Sequence, residues 1–316
     1  MTVVQHRMRR LTASPLASQQ EHQRPWRRTV ARFLTRDQLI VAFVMLTSLT
    51  SLGFLGIRRF EYGVTFHPVR YVSGSPWAIP QGVEDVWFTT ADSVRLNGWF
   101  IRSNTQPASA TVIYFHSNGG NISYLSWVGK NLSRPGFDVL LFDYRGYGRS
   151  EGDVESEREL NKDGDAAYDY IVQERGVSPE RLVLYGRSLG TTVAVDVAAR
   201  RPCGAVILES GLSSAADMAG HMLPWLPPPL YVAGKNRFES TRKLARVRVP
   251  VLIAHGDPDP VVPVAQGRQL YEAANAPKTL LIYPGAGHNV QGAMGEEYLA
   301  AVSAFIRAAI PPEPRR

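Results

Sequence analysis

Along the 316 residues, short blocks rich in β-branched and aromatic side chains alternate with longer segments whose apolar positions recur at helical spacing. The blocks Asp85–Thr89, Val94–Ile101, Ala110–Phe115, Phe137–Phe142, Leu182–Tyr185, Ala205–Leu208, Val251–Ala254 and Thr279–Tyr283 read as eight strands. The first two are joined too tightly for a crossover helix. The later ones are separated by helix-length segments, as parallel strands require. After Glu155, a helical pattern turns Leu160, Ala167, Tyr168 and Ile171 toward the sheet, with its period interrupted at Gly164. The expected fold class is α/β: an eight-stranded, mostly parallel sheet flanked by helices.

Ahead of the strands lies a different pattern. Leu39 to Ile57 is a run of 19 residues without a charge, close to the ~20 that cross a bilayer as a helix. Thr47, Ser48, Thr50 and Ser51 weaken its hydropathy, but their hydroxyls can bond back to helix carbonyls. The first 38 residues hold eight arginines (Arg7, Arg9, Arg10, Arg24, Arg27, Arg28, Arg32 and Arg36) against Glu21 and Asp37. They account for most of the net charge of +7, so the rest of the chain is nearly neutral and carries no basic surface suited to nucleic acid. Arginines before the apolar run and few after it place the N-terminus in the cytoplasm and the domain on the other side. A cleaved signal peptide is the rival reading; the long run, the long leader and the lack of an A-x-A site favour a retained anchor. The organisation expected is a basic, disordered tail over 1–38 that can also contact anionic lipid, a transmembrane anchor over 39–57, a linker over 58–79, and a domain over 80–312 with a cap at about 210–247.

The chemistry concentrates where strands end. Leu182–Tyr185 runs into Gly186-Arg187-Ser188-Leu189-Gly190 and then a helical segment, which is a strand, a G-x-S-x-G turn and a helix. The glycines allow a sharp turn that presents Ser188 above the sheet, with free helix N–H groups facing the place where negative charge develops. Downstream, Val251–Ala254 leads to His255-Gly256-Asp257-Pro258-Asp259, and Thr279–Tyr283 leads to a glycine-rich loop bearing His288. Asp259 is the preferred acid, with Asp257 as the alternative, and His288 is the base. His116 and His255, which also follow strands, are read as structural.

Leu189 N–H is the first oxyanion donor expected, and Asn118 N–H, in His116-Ser117-Asn118-Gly119-Gly120-Asn121, the second, with Ser117 as its competitor. Asn121 is placed to cap the next helix. Asp143, ahead of the nucleophile in order, is read as tying its own loop by hydrogen bonds. Between Leu208 and Val251, a long apolar and proline-rich excursion containing Met218, Met222, Trp225 and Leu226 reads as a lid with an apolar wall. The single cysteine, Cys203, excludes an internal disulfide and is expected to be buried. No metal motif, phosphate loop or dinucleotide fingerprint occurs, so no metal and no cofactor are expected.

Together, Tyr114 to Asn121, Asp143 to Gly152 and the segments bearing Ser188, Asp259 and His288 make the chain resemble the α/β-hydrolase superfamily, and within it the membrane-anchored alpha/beta-hydrolase-domain proteins. The resemblance covers residues 80–310. It implies an α/β-hydrolase fold and a serine hydrolase acting on carboxylic esters, lipid esters or acyl thioesters, with a small-molecule or lipid acyl ester as substrate. The usual glycine after the first loop histidine is Ser117 here, which bears on the second oxyanion donor. A serine peptidase on the same triad, or a catalytically silent scaffold, are the alternatives.

Overall fold

The computed structural model describes residues 35–72, 77–228, 231 and 234–310. Residues 1–34 of the basic tail therefore lie outside the described residues, as do Pro229 and Leu230 in the cap. The chain divides into two compact units, one ending at Leu55 and the other beginning at Gly56.

Helix α1 (Arg36–Thr65) is apolar and long enough to cross a membrane, and none of its residues is buried. The Thr47 hydroxyl donates to the Phe43 and Val44 carbonyls at 3.0 and 2.9 Å, and Thr50 to those of Leu46 and Thr47, both at 2.9 Å. These bonds satisfy the hydroxyls within the helix itself. The helix does not stop at Ile57, so the first part of the segment read as a linker is helical. Residues 58–65 contain no proline, and the break comes only before Pro68, which forces His67 out of the helical region.

The second unit follows in the order β1 (His67–Pro68), β2 (Val83–Thr89), β3 (Arg95–Ile101), β4 (Ala110–Phe115), β5 (Gly119–Gly120), α2 (Ser126–Ser133), β6 (Phe137–Phe142), α3 (Glu157–Asp169), β7 (Leu182–Arg187), α4 (Leu189–Ala198), β8 (Ala205–Glu209), α5 (Ala215–Met222), α6 (Ser240–Leu244), β9 (Val251–Gly256), α7 (Val264–Ala273), β10 (Lys278–Tyr283), α8 (Val290–Met294) and α9 (Glu296–Ala309). The large sheet has the order β10-β9-β8-β7-β4-β6-β3-β2. It is mixed: β3 runs antiparallel to both neighbours, while β4 and β6 to β10 pair in parallel. A separate parallel pair joins β1 to β5.

Alternation along the strands splits the core into two layers. Ile113, Phe115 and Leu184 pack with Leu160 and Ala167 of α3, Val193 of α4 and Leu270 of α7. Val112, Tyr114 and Val183 pack on the opposite face with Val128 of α2 and Val302 and Ile306 of α9. Gly164, which breaks the period of α3, does so for a packing reason: a Cβ there would lie 2.6 Å from Val193 Cγ1. The glycine lets α3 close on α4.

The start of α4 is closer still to the sheet. A Cβ at Gly190 would sit 2.0 Å from the Phe115 carbonyl oxygen, and one at Gly186 would sit 2.6 Å from Thr191 N. Both obstacles are backbone and cannot swing aside. Gly190→Ala is expected to destabilise the protein by about 1–3 kcal/mol and to displace the start of α4. An unchanged urea midpoint would contradict that.

Candidate active site

Parallel strands end at a common edge of the sheet, the edge at which open α/β sheets place their sites. Four of these ends carry the residues that the sequence singles out. Ser188 lies in the turn from β7 to α4, with φ 52° and ψ −122°. A left-handed backbone at a non-glycine residue costs on the order of 1–3 kcal/mol and persists only when its surroundings over-determine it. Here the Ser188 N–H donates to the Glu209 carbonyl (2.9 Å), and the Ser188 carbonyl accepts from the N–H (3.0 Å) and hydroxyl (2.6 Å) of Thr191.

Beyond β10, His288 reaches Ser188 and Asp259 together. Its Nε2 is 2.9 Å from Ser188 Oγ, and its Nδ1 is 2.8 Å from Asp259 Oδ2. An ionised carboxylate can only accept, so Nδ1 carries the proton and the Nε2 lone pair faces the serine hydroxyl. Burial by itself would raise the Asp259 carboxyl. Hydrogen bonds from His255, His288 and the Val262 and Val261 amides outweigh it and hold Asp259 well below the ordinary carboxylate range. The two amides reach Oδ1 at 2.8 Å (Val261) and 3.0 Å (Val262). Buried His255 donates from Nε2 to the Val262 carbonyl at 2.8 Å, with Asp259 Oδ2 at 3.3 Å, and so braces the acid's own loop. Asp257 is turned to another task, accepting the Gly285 N–H at 2.8 Å.

Leu189, Asn118 and Ser117 border the same cavity as Ser188 and His288. Among the described residues, neither the Leu189 nor the Asn118 main-chain N–H donates to another protein group. Asn121 caps the turn that follows, its side chain accepting from Ser123 N at 3.0 Å. On the cap, Leu226 lines the cavity but Trp225 does not, standing 76% exposed outside it.

Several supporting groups carried no sequence signal that the strand-end reading used. Glu209 is fully buried; its carboxylate accepts from Tyr185 OH (2.7 Å) and from the Gln291 N–H (3.0 Å), with Arg187 Nε at 3.7 Å. Its hint was positional: it is the charged residue that closes the apolar run Ala205–Leu208 at the same sheet edge. Cys203 is buried, and burial pushes its thiol up to about 12.

A family model described as serine aminopeptidase, S33 (Hydrolase_4) matches residues 106–232 and 238–293. The chain belongs to this family of α/β-hydrolases. Over 273 residues the hydrolase is 36% identical to the YfhR protein of Escherichia coli K12, spanning 81% of this chain and 91% of that one. Over 232 residues it is 34% identical to alpha/beta hydrolase domain-containing protein 17C of Mus musculus, spanning 72% and 69%. The esterase Pf2001 of Pyrococcus furiosus shares its fold, with a TM-score of 0.63 at 24% identity over 77% of this chain and 98% of that one.

Beneath the loop after β4, the hydrolase buries His116 against Asp143, with Nε2 3.7 Å from Oδ1. Asp143 Oδ1 accepts the Ile122 N–H at 2.9 Å, which ties that loop down, and the His116 Nδ1–H donates to the Ser117 carbonyl at 2.7 Å. Burial lowers His116 to about 4 and raises Asp143 well above its ordinary value. A histidine depressed by burial costs the fold nothing above about pH 6.5 and costs it progressively as pH falls toward 4. Relative to His116→Gln, the urea midpoint of the parent is expected to drop more between pH 7 and pH 4.5; parallel profiles would refute a buried neutral imidazole.

Proposed function

We propose that the protein is a membrane-anchored serine hydrolase that cleaves carboxylic esters or acyl thioesters. The carrying observation is the continuous Asp259–His288–Ser188 hydrogen-bond chain opening into a largely apolar cavity of about 700 Å³. In this reading His288 Nε2 takes the Ser188 proton as Oγ attacks the acyl carbon. The carbonyl oxygen becomes an oxyanion, stabilised by the Leu189 and Asn118 N–H groups. His288 returns its proton to the departing alcohol or thiol, leaving acyl-Ser188. Water, deprotonated by the same imidazole, then releases the acid and restores the hydroxyl. Asp259 holds the tautomer and stabilises the imidazolium.

A peptidase reading draws on the family model's description. An aminopeptidase needs an anionic group free to take the substrate's ammonium. Glu61 is the one carboxylate among the described residues lining the cavity, and its oxygens already accept from the Lys235 and Asn236 N–H groups. That favours an acyl ester or thioester.

Ser188→Ala is expected to abolish labelling by a fluorophosphonate probe and to lower kcat by roughly 10³-fold or more. Asp259→Asn, which imposes the wrong imidazole tautomer, is expected to lower kcat by on the order of 10⁴-fold. Labelling that survives Ser188→Ala would remove the proposal.

The uncharged run over 39–57 and the arginines before it support an anchor with the N-terminus in the cytoplasm and the hydrolase unit on the opposite side. Alkaline phosphatase fused at the C-terminus is then active in a bacterial host. An inactive fusion, with an active cytoplasmic reporter at the same site, would reverse the orientation.

A further inference from the structure

The cavity over Ser188 and His288 has a wall drawn from the segment just ahead of the domain's first long strand. Ile57, Phe60, Glu61, Val64 and Thr65 line it. Their spacing of three and four residues puts all five on one face of α1. Met218, Met222 and Leu226 of the cap border the same space. The fold leaves this surface uncovered: Phe60 is 54% and Met222 53% exposed. A row of apolar side chains left open inside a cavity beside a nucleophile fits an apolar chain covalently continuous with the reacting carbonyl.

One charged residue, Glu61, interrupts the α1 face, and its partners explain it. Glu61 Oε2 accepts the Lys235 N–H at 2.8 Å, while Oε1 accepts the Asn236 N–H at 2.7 Å and its side-chain amide at 2.9 Å. The carboxylate clips the returning limb of the cap to the helix. Immediately beyond α1, the chain lies along the loop after β4. His67 and Pro68 pair in parallel with Gly119 and Gly120. The His67 N–H donates to Asn118 Oδ1 at 2.9 Å, and Asn118 Nδ2 donates to His67 Nδ1 at 2.7 Å. Farther along, Asn121 Nδ2 donates to the Val69 carbonyl at 3.0 Å. Asn118 is thus gripped from both ends of its amide by one residue of the segment that follows the helix.

We propose that the end of α1 and strand β1 belong to the reacting site. Ile57, Phe60 and Val64 are the wall against which the substrate's acyl chain lies, and they set the acyl length accepted. Glu61 holds the cap to that wall, and His67 is a positioning residue that fixes Asn118 and so the second oxyanion donor. This rests on the serine-hydrolase reading above. The specificity element is therefore the same helix that carries the apolar run, because Ile57 both ends that run and begins the wall.

The full chain in detergent, assayed on p-nitrophenyl esters from acetate to palmitate, tests this. Each methylene that reaches the wall is expected to raise kcat/KM by up to roughly fourfold. Phe60→Trp and Ile57→Trp, which fill the cavity, are expected to lower the palmitate-to-acetate ratio of kcat/KM tenfold or more. Glu61→Gln, which loosens the cap, is expected to flatten the acyl-length profile. His67→Ala is expected to lower kcat on every ester with KM unchanged, and His67→Asn, which keeps an acceptor for Asn118, to recover part of it. Both tryptophan variants retaining the parental ratio while Ser188 still reacts with fluorophosphonate would overturn the gauge. A rise in KM alone for His67→Ala would overturn the buttress. A parent protein that fluorophosphonate does not label would instead sink the serine-hydrolase reading, and this inference with it.

Discussion

The main-chain carbonyl of Glu209 takes the Ser188 N–H while its carboxylate, at the end of the same residue's side chain, takes the Gln291 N–H. One residue at the end of β8 therefore holds both the strained turn at Ser188 and the helix that starts just past His288. A carboxylate with no exposed surface is tolerable only when it is hydrogen-bonded, and Tyr185 OH supplies the second donor with Arg187 nearby. The Tyr298 hydroxyl from α9 meets Tyr185 at 2.8 Å and extends the network to the far helix layer. Removal of any member strands a buried polar group, so the geometry is fixed by the cost of the alternatives more than by the strength of one bond.

The same logic recurs around the loop after β4. The sheet beneath is apolar on both faces, and the polar atoms are gathered at the ends of its parallel strands. Burial disfavours charge on both His116 and Asp143 there, lowering the one and raising the other. Above them, the His67 segment supplies hydrogen bonds that a surface loop would otherwise draw from water. Gly190 admits the start of α4 against the Phe115 carbonyl, so Leu189 and Asn118 come to border one cavity.

Much of this was legible in the chain. All eight strands lie where alternating and β-branched blocks predict them, because a strand buried on both faces must be apolar throughout its length; the structure extends several by one or two residues, as with β7 through Arg187 and β9 through Gly256. Ser188, Asp259 and His288 stand out because strand-end loops carry them in order, and the structure brings them within hydrogen-bond distance. Asp257 and Asp259, two residues apart in one loop, are separated only by direction: one faces the Gly285 turn and the other the imidazole. Trp225 and Leu226 are adjacent apolar cap residues, yet only Leu226 reaches the cavity, a difference of orientation that composition does not contain.

Local patterns decided the fold class, the apolar run and the loops that bear chemistry, because periodicity and turn residues act over a few neighbours. They could not decide that α1 runs on to Thr65 to wall the cavity, that His67 grips a side chain 51 residues away, or that Glu209 binds the amide of Gln291, 82 residues on. Those relations join residues whose partners are remote in sequence, and each exists only once the sheet order has brought the strand ends together. Hydrophobic pattern is a property of a segment; hydrogen-bond satisfaction in a buried site is a property of the assembled tertiary structure.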